Sequence, residues 1–254
     1  MSEDILYAVQ DGIAQVTFNR PQARNAFTFA MYERLAELCD AVEADSAIRV
    51  LVLTGAGDRA FASGTDIAQF REFRTPQDAI GYEQRIERVV SRLEALGKPT
   101  IAAIAGACTG GGAALAAVCD LRVASADARF GFPIARTLGN CLAMANYARL
   151  AGLLGASRVK EMIFTARLMG AAEAQSAGLF HEVLDTPDAM RTRAADLARI
   201  VAGHAPITLK VTKEALRRLR PPAAEGEDLI LAAYMSEDFR EGLDAFLNKR
   251  TPQW

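Results

Sequence analysis

The sequence predicts an α/β fold, in which buried strands alternate with helices. Two segments carry this prediction, because each reads as an apolar strand, a glycine-containing turn and a helix: residues 49–67 and 100–118. Such alternation is typical of α/β architecture built from strand–helix units. From about Leu142 onward the patterns are almost all helical. We therefore expect a strand–helix core over residues 1–195 and a helical C-terminal region over residues 196–254.

A hairpin and two helices complete the predicted elements of the first hundred residues. Ile5–Gln10 and Ile13–Phe18 alternate in polarity around Asp11-Gly12, a dipeptide that favours a tight hairpin turn. Apolar residues recur at helical spacing over Phe29–Ala44 and again over Thr75–Leu96. Further along, a short β-like segment and several prolines interrupt the helical patterns: His181–Leu184, Pro187, Pro206 and Pro221-Pro222.

Both glycine-containing turns leave backbone N–H groups free to bind negative charge. Gly110–Gly112 begin a helix of small residues, where N–H groups are unpaired and the helix dipole favours anions. Gly64 frees the backbone in the same way before a short helical pattern. Donors near Thr65 and at Gly111 would form an oxyanion hole if they converge on one point. The glycines also fit a second interpretation, close packing of helix against strand.

Composition excludes several classes of function. The chain has 254 residues, is 51% hydrophobic and carries a formal net charge of −2, which gives no electrostatic basis for binding nucleic acid or an anionic membrane. No apolar run approaches the ~20 residues of a membrane span, and the N-terminus lacks a signal-peptide pattern. Four cysteines without C-x-x-C spacing indicate reduced thiols, and two histidines argue against a histidine-rich metal site. We therefore expect a cytoplasmic protein without a metal ion.

Several motifs in a fixed order identify a family. Phe61–Ile67 (FASGTDI), Lys98–Ile101 (KPTI), Gly110–Gly112 and Cys119-Asp120 together resemble the crotonase family, the enoyl-CoA hydratase/isomerase superfamily. Four further segments resemble family patterns at family-like spacing: residues 19–27, 129–133, 171–179 and 237–250. Each match alone is weak, but together they extend the resemblance over nearly the whole chain.

The resemblance implies a spiral of ββα units followed by a helical C-terminal region that packs trimers. It also implies an acyl-CoA substrate, whose thioester carbonyl is polarised by two backbone N–H groups, here those of Thr65 and Gly111. No cofactor beyond the CoA moiety of the substrate is expected, and the expected assembly is a homotrimer or a dimer of trimers. The positions similar to the family's CoA cradle are Arg24, Ala26, Ala62, Asp66 and Ile67. Asp66 also fits the role of a base or of a helix N-cap.

Two positions depart from the family's hydratase pattern. Ala114 and Ile134 stand where that pattern has glutamates that manage a water and a proton. Alanine and isoleucine transfer no protons, so we predict very weak enoyl-CoA hydration. Arg136 and Asn140, just past the second position, are candidate replacements in the catalytic site, Arg136 to hold a carboxylate and Asn140 to orient a water or a carboxylate. The reaction stays open among hydration, isomerisation, decarboxylation and thioester hydrolysis.

Other interpretations remain open. Cys141 is either a nucleophile or a small core residue. Gly106–Gly110 fits G-x-C-x-G, the nucleophile elbow of α/β-hydrolases, with Cys108 as nucleophile and His181 or His204 as its base. A further alternative is a non-catalytic acyl-CoA-binding or assembly protein that kept the fold and lost the catalysis.

Overall fold

Two β-sheets and the helices around them form the protein. The computed structural model describes residues 3–220 and 223–254, so the predicted proline interruption at 221–222 lies outside the described residues. The strands are β1 (Ile5–Gln10), β2 (Ile13–Phe18), β3 (Val50–Gly55), β4 (Ala60–Ala62), β5 (Thr100–Ile104), β6 (Ala107–Thr109), β7 (Leu121–Ser125), β8 (Arg129–Gly131), β9 (Met169–Gly170) and β10 (Glu182–Leu184). The helices are α1 (Phe29–Ala44), α2 (Pro76–Glu94), α3 (Gly111–Val118), α4 (Ile134–Thr137), α5 (Met144–Leu154), α6 (Ala156–Phe164), α7 (Ala171–Ser176), α8 (Pro187–Ala202), α9 (Pro206–Leu219), α10 (Glu227–Tyr234) and α11 (Glu237–Leu247).

Successive strands alternate between the two sheets. β3, β5 and β7 lie in a six-stranded sheet of order β1-β2-β3-β5-β7-β10, and β4, β6 and β8 lie in a four-stranded sheet of order β4-β6-β8-β9. Neighbours from β2 to β10 in the first sheet, and from β4 to β8 in the second, pair in parallel. A helix follows each pair of strands, which gives three successive ββα units and confirms the predicted α/β class.

Glycine and asparagine make the bends that carry the chain from one sheet to the other. Gly106, between β5 and β6, has φ +60°, and a Cβ atom there would stand 2.2 Å from the Arg59 carbonyl oxygen. Only glycine combines this conformation with so close an approach. In the preceding unit the buried Asn25 side chain donates to the carbonyl oxygens of Ala56 and Ala60, at 3.1 and 2.7 Å, and so bridges the turn from β3 to β4.

The predicted N-terminal elements are confirmed. β1 and β2 pair antiparallel across Asp11-Gly12, and both turn residues have positive φ, as this hairpin turn requires. α1 has the predicted bounds, and α2 begins after a capping box in which Thr75 and Asp78 exchange hydrogen bonds.

Two of the predicted proline interruptions are helix starts. Pro187 and Pro206 each stand in the first turn of a helix, where the backbone N–H has no partner within the helix, so its absence in proline costs no hydrogen bond.

The boundary expected between residues 195 and 196 falls inside α8. This helix buries Met190, Ala194, Ala198 and Val201 against the six-stranded sheet. The four residues recur every three or four positions and therefore form one apolar stripe that crosses the expected boundary. α8 thus packs on the core sheet, and the helical C-terminal region begins after it, at α9.

The last three helices differ in what they cover. α10 and α11 bury Ile230, Tyr234 and Phe239 in a cluster that includes residues of α2. In the described part of the chain, α9 buries none of its side chains. Its exposed apolar residues are Ile207, Val211, Leu216 and Leu219.

Candidate active site

The two glycine-containing turns meet beside one cavity. Gly64, at φ +100°, and Gly110, at φ +54°, approach so closely that a Cβ atom on Gly110 would stand 3.3 Å from the Gly64 Cα. Glycine adopts positive φ without the steric cost that other residues incur. The cavity has a volume of about 100 Å³, and its walls come from the two turns, α2, the start of α3, and the segment that begins at Phe132.

Thr65 and Gly111 bring the predicted pair of backbone donors to this cavity. Gly111 is the first residue of α3, a position at which the N–H has no acceptor within the helix. In the described part of the chain, the Thr65 N–H also donates to no other protein group. Both residues line the cavity. The structure therefore brings together the two residues that the sequence analysis paired.

Two tyrosines hold this pair in position. The Thr65 hydroxyl lies 3.0 Å from Tyr32 Oη and 2.8 Å from Tyr82 Oη. Tyr32 also packs against Gly111, because a Cβ atom there would stand 2.1 Å from the Tyr32 hydroxyl oxygen. A side chain at position 111 would displace Tyr32 and disturb its contact with Thr65. The geometry of the two turns is thus coupled through one phenol.

Both ends of α3 are anchored. A Cβ atom on Gly112 would stand 2.4 Å from the Ala62 carbonyl oxygen, so this glycine lets α3 pack directly on β4. At the other end the buried Arg122 guanidinium donates to three carbonyl oxygens at and just after the helix C-terminus, which lack partners in the helix. The close-packing interpretation therefore applies to Gly112, whereas Gly111 lies at the cavity.

The two positions that lack glutamate lie in the cavity wall. Ala114, in the first turn of α3, and Ile134, the first residue of α4, are both buried and line the cavity. Phe132 and Leu138 extend the same apolar surface. This part of the wall carries no group that transfers a proton.

Arg136 lies outside the cavity wall, so the structure does not bring this predicted site residue to the cavity. α4 is a single turn in which Ile134 and Leu138, four residues apart, are buried toward the cavity. Arg136 lies between them on the opposite side of the turn and is exposed. Its distance along the chain from Ile134 predicts a place near the pocket, but this distance does not fix the direction of a side chain in a helical turn.

Asn140 does line the cavity and contacts the C-terminal region. Its side-chain N–H donates to Tyr234 Oη of α10 over 3.1 Å. Its Oδ1 is buried and has no hydrogen-bond partner among the described residues. Buried polar atoms without partners are uncommon in native proteins, so this oxygen is available to a bound water or ligand.

Neither cysteine candidate has the environment of a nucleophile. Burial raises the pKa of the Cys141 thiol to about 12 and that of Cys108 well above its usual range, whereas reactive cysteines have lowered pKa values. Cys108 is fully buried in β6 rather than exposed at a turn. His181 Nδ1 accepts a hydrogen bond from the Arg122 N–H, and the structure gives neither His181 nor His204 a hydrogen bond to Cys108. The cysteine-hydrolase alternative is therefore unsupported.

Asp66 caps a short helix beside the Thr65 turn. Its carboxylate accepts from the Ala68 N–H at the start of the 3-10 helix Ile67–Glu72. It also forms an ion pair with Arg20 at 3.0 Å. These contacts favour the N-cap interpretation of Asp66 over that of a base.

The other four predicted CoA contacts differ in exposure. Ile67 lines the cavity, and Ala62 is fully buried under α3. Ala26 is half-buried. Arg24 is exposed, and its carbonyl oxygen accepts from the N–H of Ser63, which lines the cavity. A cationic side chain thus stands in solvent beside the site, as contact with a phosphate group requires.

A buried carboxyl group that the sequence analysis missed also lines the cavity. Glu83 lies on α2 between Ile80 and Ile86, is only 6% exposed, and shares this cavity with Thr65 and Gly111. A signal for it existed in the sequence, because an acidic residue occupies the apolar stripe of an amphipathic helix. Burying a carboxylate there is costly, so such a position calls for a local explanation.

Burial changes the acid–base properties of Glu83. Tyr234 Oη donates to its Oε1 over 2.5 Å. Burial, with a smaller effect from Glu87, raises the pKa of Glu83 to about 7, although the Tyr234 hydroxyl and the nearby Ala143 N–H act in the opposite direction. A group with this pKa is available in both protonation states at neutral pH, as general acid–base chemistry requires.

Within residues 3–220 and 223–254, no group of three or more His, Cys, Asp and Glu residues is arranged to hold a metal ion. No helix in these ranges has the length and apolar character needed to span a membrane.

Sequence and fold both match one family. The sequence pattern of the enoyl-CoA hydratase/isomerase family matches residues 8–254. The chain is 33% identical to the short-chain-enoyl-CoA hydratase of Clostridium acetobutylicum, over 97% of this chain and 95% of that protein. It is 35% identical to the 2,3-dehydroadipyl-CoA hydratase of Escherichia coli, over 100% and 99%. The crystal structure of an enoyl-CoA hydratase/carnithine racemase from Magnetospirillum magneticum matches with a TM-score of 0.82 at 33% identity, over 100% of this chain and 96% of that one. The chain therefore belongs to the enoyl-CoA hydratase/isomerase, or crotonase, family.

Proposed function

We propose that this protein acts on an acyl-CoA thioester and stabilises negative charge on the thioester oxygen with the N–H groups of Thr65 and Gly111. One observation carries the proposal: two turns from separate parts of the chain bring two unpaired amides to one small cavity. The relatives support the substrate class, since several are named for enoyl-CoA substrates and align over nearly the whole chain.

The chemistry follows from where charge develops. Removing a proton from the carbon beside the thioester, or adding a nucleophile one carbon further, moves negative charge onto the thioester oxygen. Preorganised N–H donors at that oxygen stabilise the enolate by ~3–4 kcal/mol each. Because both donors belong to the backbone, the same hole serves several reactions, and the side chains of the cavity wall select among them.

The size of the cavity favours a short acyl group. Its volume of about 100 Å³ is below the ~150 Å³ of an engineered apolar cavity that admits benzene. The exposed Arg24 beside the site is the cation we assign to a phosphate of CoA, with Ala26, Ala62, Asp66 and Ile67 around the thioester end.

Ordinary hydration is expected to be very weak. Hydration must deliver a water to one carbon and a proton to its neighbour, and the positions that manage these steps in the family's hydratase pattern are Ala114 and Ile134 here. Loss of a general acid or base lowers rates by roughly 10²–10⁴-fold.

The same apolar wall favours the second candidate function, a non-catalytic acyl-CoA-binding protein. That candidate predicts binding of acyl-CoA thioesters without turnover or proton exchange. A panel of short saturated and unsaturated acyl-CoAs, each assayed for binding and for product, separates it from the enzyme.

We also propose that α9 mediates assembly into a homotrimer or a dimer of trimers. Its large apolar residues Ile207, Val211, Leu216 and Leu219 are exposed in the single chain, and covering them in an assembly is favourable. Light scattering at micromolar concentration should give at least three times the monomer mass. A monomer at that concentration would contradict the assembly.

A matched pair of variants tests the amide of Gly111. Proline removes the N–H, and α3 tolerates it because position 111 is the first helical residue. Any Cβ atom there meets the Tyr32 hydroxyl, so both variants are made in a Tyr32→Phe background, which leaves the ring carbon and the Thr65 hydroxyl oxygen, each at 3.4 Å.

In that background, Gly111→Ala should retain activity and Gly111→Pro should lose it by about 10²–10³-fold, since only proline deletes the donor. Circular dichroism and thermal melting confirm that both variants fold. Equal activity of the folded alanine and proline variants would refute the assignment of this amide.

A further inference from the structure

We infer that Glu83 is the catalytic acid–base residue of this site and that the substrate is a short 3-enoyl thioester, isomerised to the 2-enoyl thioester. This inference rests on the proposed oxyanion hole. It adds the group that moves the proton and the reaction that a single such group performs.

Glu83 enters the cavity from a different element than the positions where the family's hydratase pattern has glutamates. Ala114 and Ile134 lie on α3 and α4, whereas Glu83 lies on α2. All three residues line the one cavity that also contains Thr65 and Gly111. The carboxyl function is thus present in the site although both expected positions have lost it.

The carboxyl group is held rigidly. Tyr234 Oη donates to Glu83 Oε1 at 2.5 Å and itself accepts from the Asn140 side-chain N–H at 3.1 Å. Three segments of the chain, α2, α10 and the loop after α4, therefore fix one carboxyl group. This arrangement is the preorganisation that proton transfer to carbon requires.

No other described side chain of the cavity wall is a comparable base. The wall contains one carboxyl group, and its other titratable side chains are Tyr82 and Cys141. Burial raises the pKa of both, so that their anions are disfavoured. The remaining polar groups are hydroxyls and amides such as Thr137 and Asn140, which orient ligands but do not exchange protons near neutral pH.

A single base is sufficient for a 1,3-proton shift. The Glu83 carboxylate removes a proton from C2 of the 3-enoyl thioester, and the C–H electron pair delocalises into a dienolate whose oxygen accepts from the Thr65 and Gly111 amides. The same carboxyl group, now protonated, returns that proton to C4. The double bond moves from C3–C4 to C2–C3, the carboxylate is regenerated, and no co-reactant is consumed.

Hydration needs two groups in the cavity wall, one to hold a water beside C3 and one to donate a proton at C2. Ala114, Phe132 and Ile134 line the wall and provide no second carboxyl group for this purpose. The one buried carboxyl therefore matches the isomerisation better than the hydration.

The test compares three proteins on two ligands. Wild type, Glu83→Gln and the control Glu87→Gln are assayed with 3-butenoyl-CoA for formation of the 2-enoyl product. Binding of butyryl-CoA, which has no double bond to move, is measured by calorimetry on the same samples. Glu87 lies one turn along α2, pairs with Arg149 and is not part of the cavity wall, so its variant controls for changes of charge on the helix.

We expect Glu83→Gln to lower the isomerisation rate by about 10²–10⁴-fold with butyryl-CoA affinity within about threefold of wild type. Wild type should exchange the C2 protons of butyryl-CoA for deuterium in D2O, as followed by NMR, and Glu83→Gln should not. Glu87→Gln should keep both activities within about threefold, because the Glu87 charge has only the smaller effect on the pKa of Glu83.

Wild-type protein that binds butyryl-CoA but neither isomerises 3-butenoyl-CoA nor exchanges C2 protons would overturn the inference and leave the binding proposal intact. So would a folded Glu83→Gln protein with the wild-type rate. Failure of wild type to bind butyryl-CoA would overturn the proposed function together with this inference.

Discussion

The two sides of the cavity differ in the part of the chain that makes them. One side is backbone, the glycine turns at Gly64 and Gly110–Gly112, and it follows the family pattern residue by residue. The other side consists of side chains from α2, α3 and α4, and there Ala114 and Ile134 stand at the positions where we expect the pattern's two glutamates. On our proposal, the backbone side still binds the thioester and stabilises charge, whereas the side-chain side moves the proton through a different residue.

The largest effect should come from restoring the family pattern on the altered side. The double variant Ala114→Glu, Ile134→Glu is expected to gain crotonyl-CoA hydration by roughly 10²-fold or more over wild type, because it supplies both carboxyl groups beside an unchanged hole. Either single variant should gain much less, since one carboxyl leaves half of the task undone. If the double variant folds and binds butyryl-CoA but gains no hydration activity, the Thr65 and Gly111 amides are not placed to stabilise the thioester oxygen.

The pH dependence of stability sharpens the comparison without any substrate. The pKa of Glu83 is raised from 4.5 to about 7 on folding, so between those values the folded protein binds the extra proton and stability falls as pH rises. The Glu83→Gln variant has no such carboxyl group, so its stability does not fall with pH for this reason. The free energy of unfolding of the variant minus that of wild type should therefore increase by up to ~3 kcal/mol from pH 4 to pH 8.

Chemical denaturation at both pH values measures this difference, and an unchanged difference would contradict the buried carboxyl. Several titratable groups interact electrostatically with Glu83, so that their pKa values and its own are linked. They are Tyr32 of α1, Tyr82 and Glu87 of α2, Cys141, Tyr147 of α5 and Tyr234 of α10. Glu87 is paired with Arg149 at 2.6 Å.

Tyr234→Phe should have a smaller effect, because it leaves the carboxyl group in place and removes one hydrogen bond to it. That bond favours the carboxylate, so its loss should raise the pKa of Glu83 further and reduce the fraction of active base at pH 7. We expect about a tenfold lower rate at pH 7 and recovery at higher pH. A uniform loss at every pH would indicate that Tyr234 acts only on the packing.

Arg136→Ala should have the smallest effect. The side chain is exposed and lies outside the cavity wall. Isomerisation and butyryl-CoA binding should both stay within about twofold of wild type. A larger loss would return Arg136 to the site and restore the interpretation made from the sequence.

The same division explains how far the sequence could predict the site. Glycine at the start of a helix and before a short helix has a direct structural meaning, so Thr65 and Gly111 could be paired before their positions were known. The wall depends on side-chain direction and on contacts between distant segments. Arg136 lies outside the wall because it is on the opposite side of the single turn of α4 from the buried residues. Glu83 was missed because helical periodicity identifies α2 without identifying which residues its buried face contacts.

The fold divides in the same way. The hairpin and α1 follow from local patterns and were predicted with their bounds. The division expected between residues 195 and 196 does not follow from such a local pattern. α8 spans it with the amphipathic pattern of a peripheral helix, and its contact with the six-stranded sheet is visible only in the structure.

The proposed site stabilises negative charge with the Thr65 and Gly111 amides and transfers protons through Glu83. The most direct test is the turnover of 3-butenoyl-CoA and of crotonyl-CoA by wild type and Glu83→Gln, side by side at pH 7. We expect isomerisation that depends on Glu83 by at least ~10²-fold, with crotonyl-CoA hydration far below the ~10 s⁻¹ of a typical enzyme. Hydration at about 10 s⁻¹ or faster that survives Glu83→Gln would contradict this proposal.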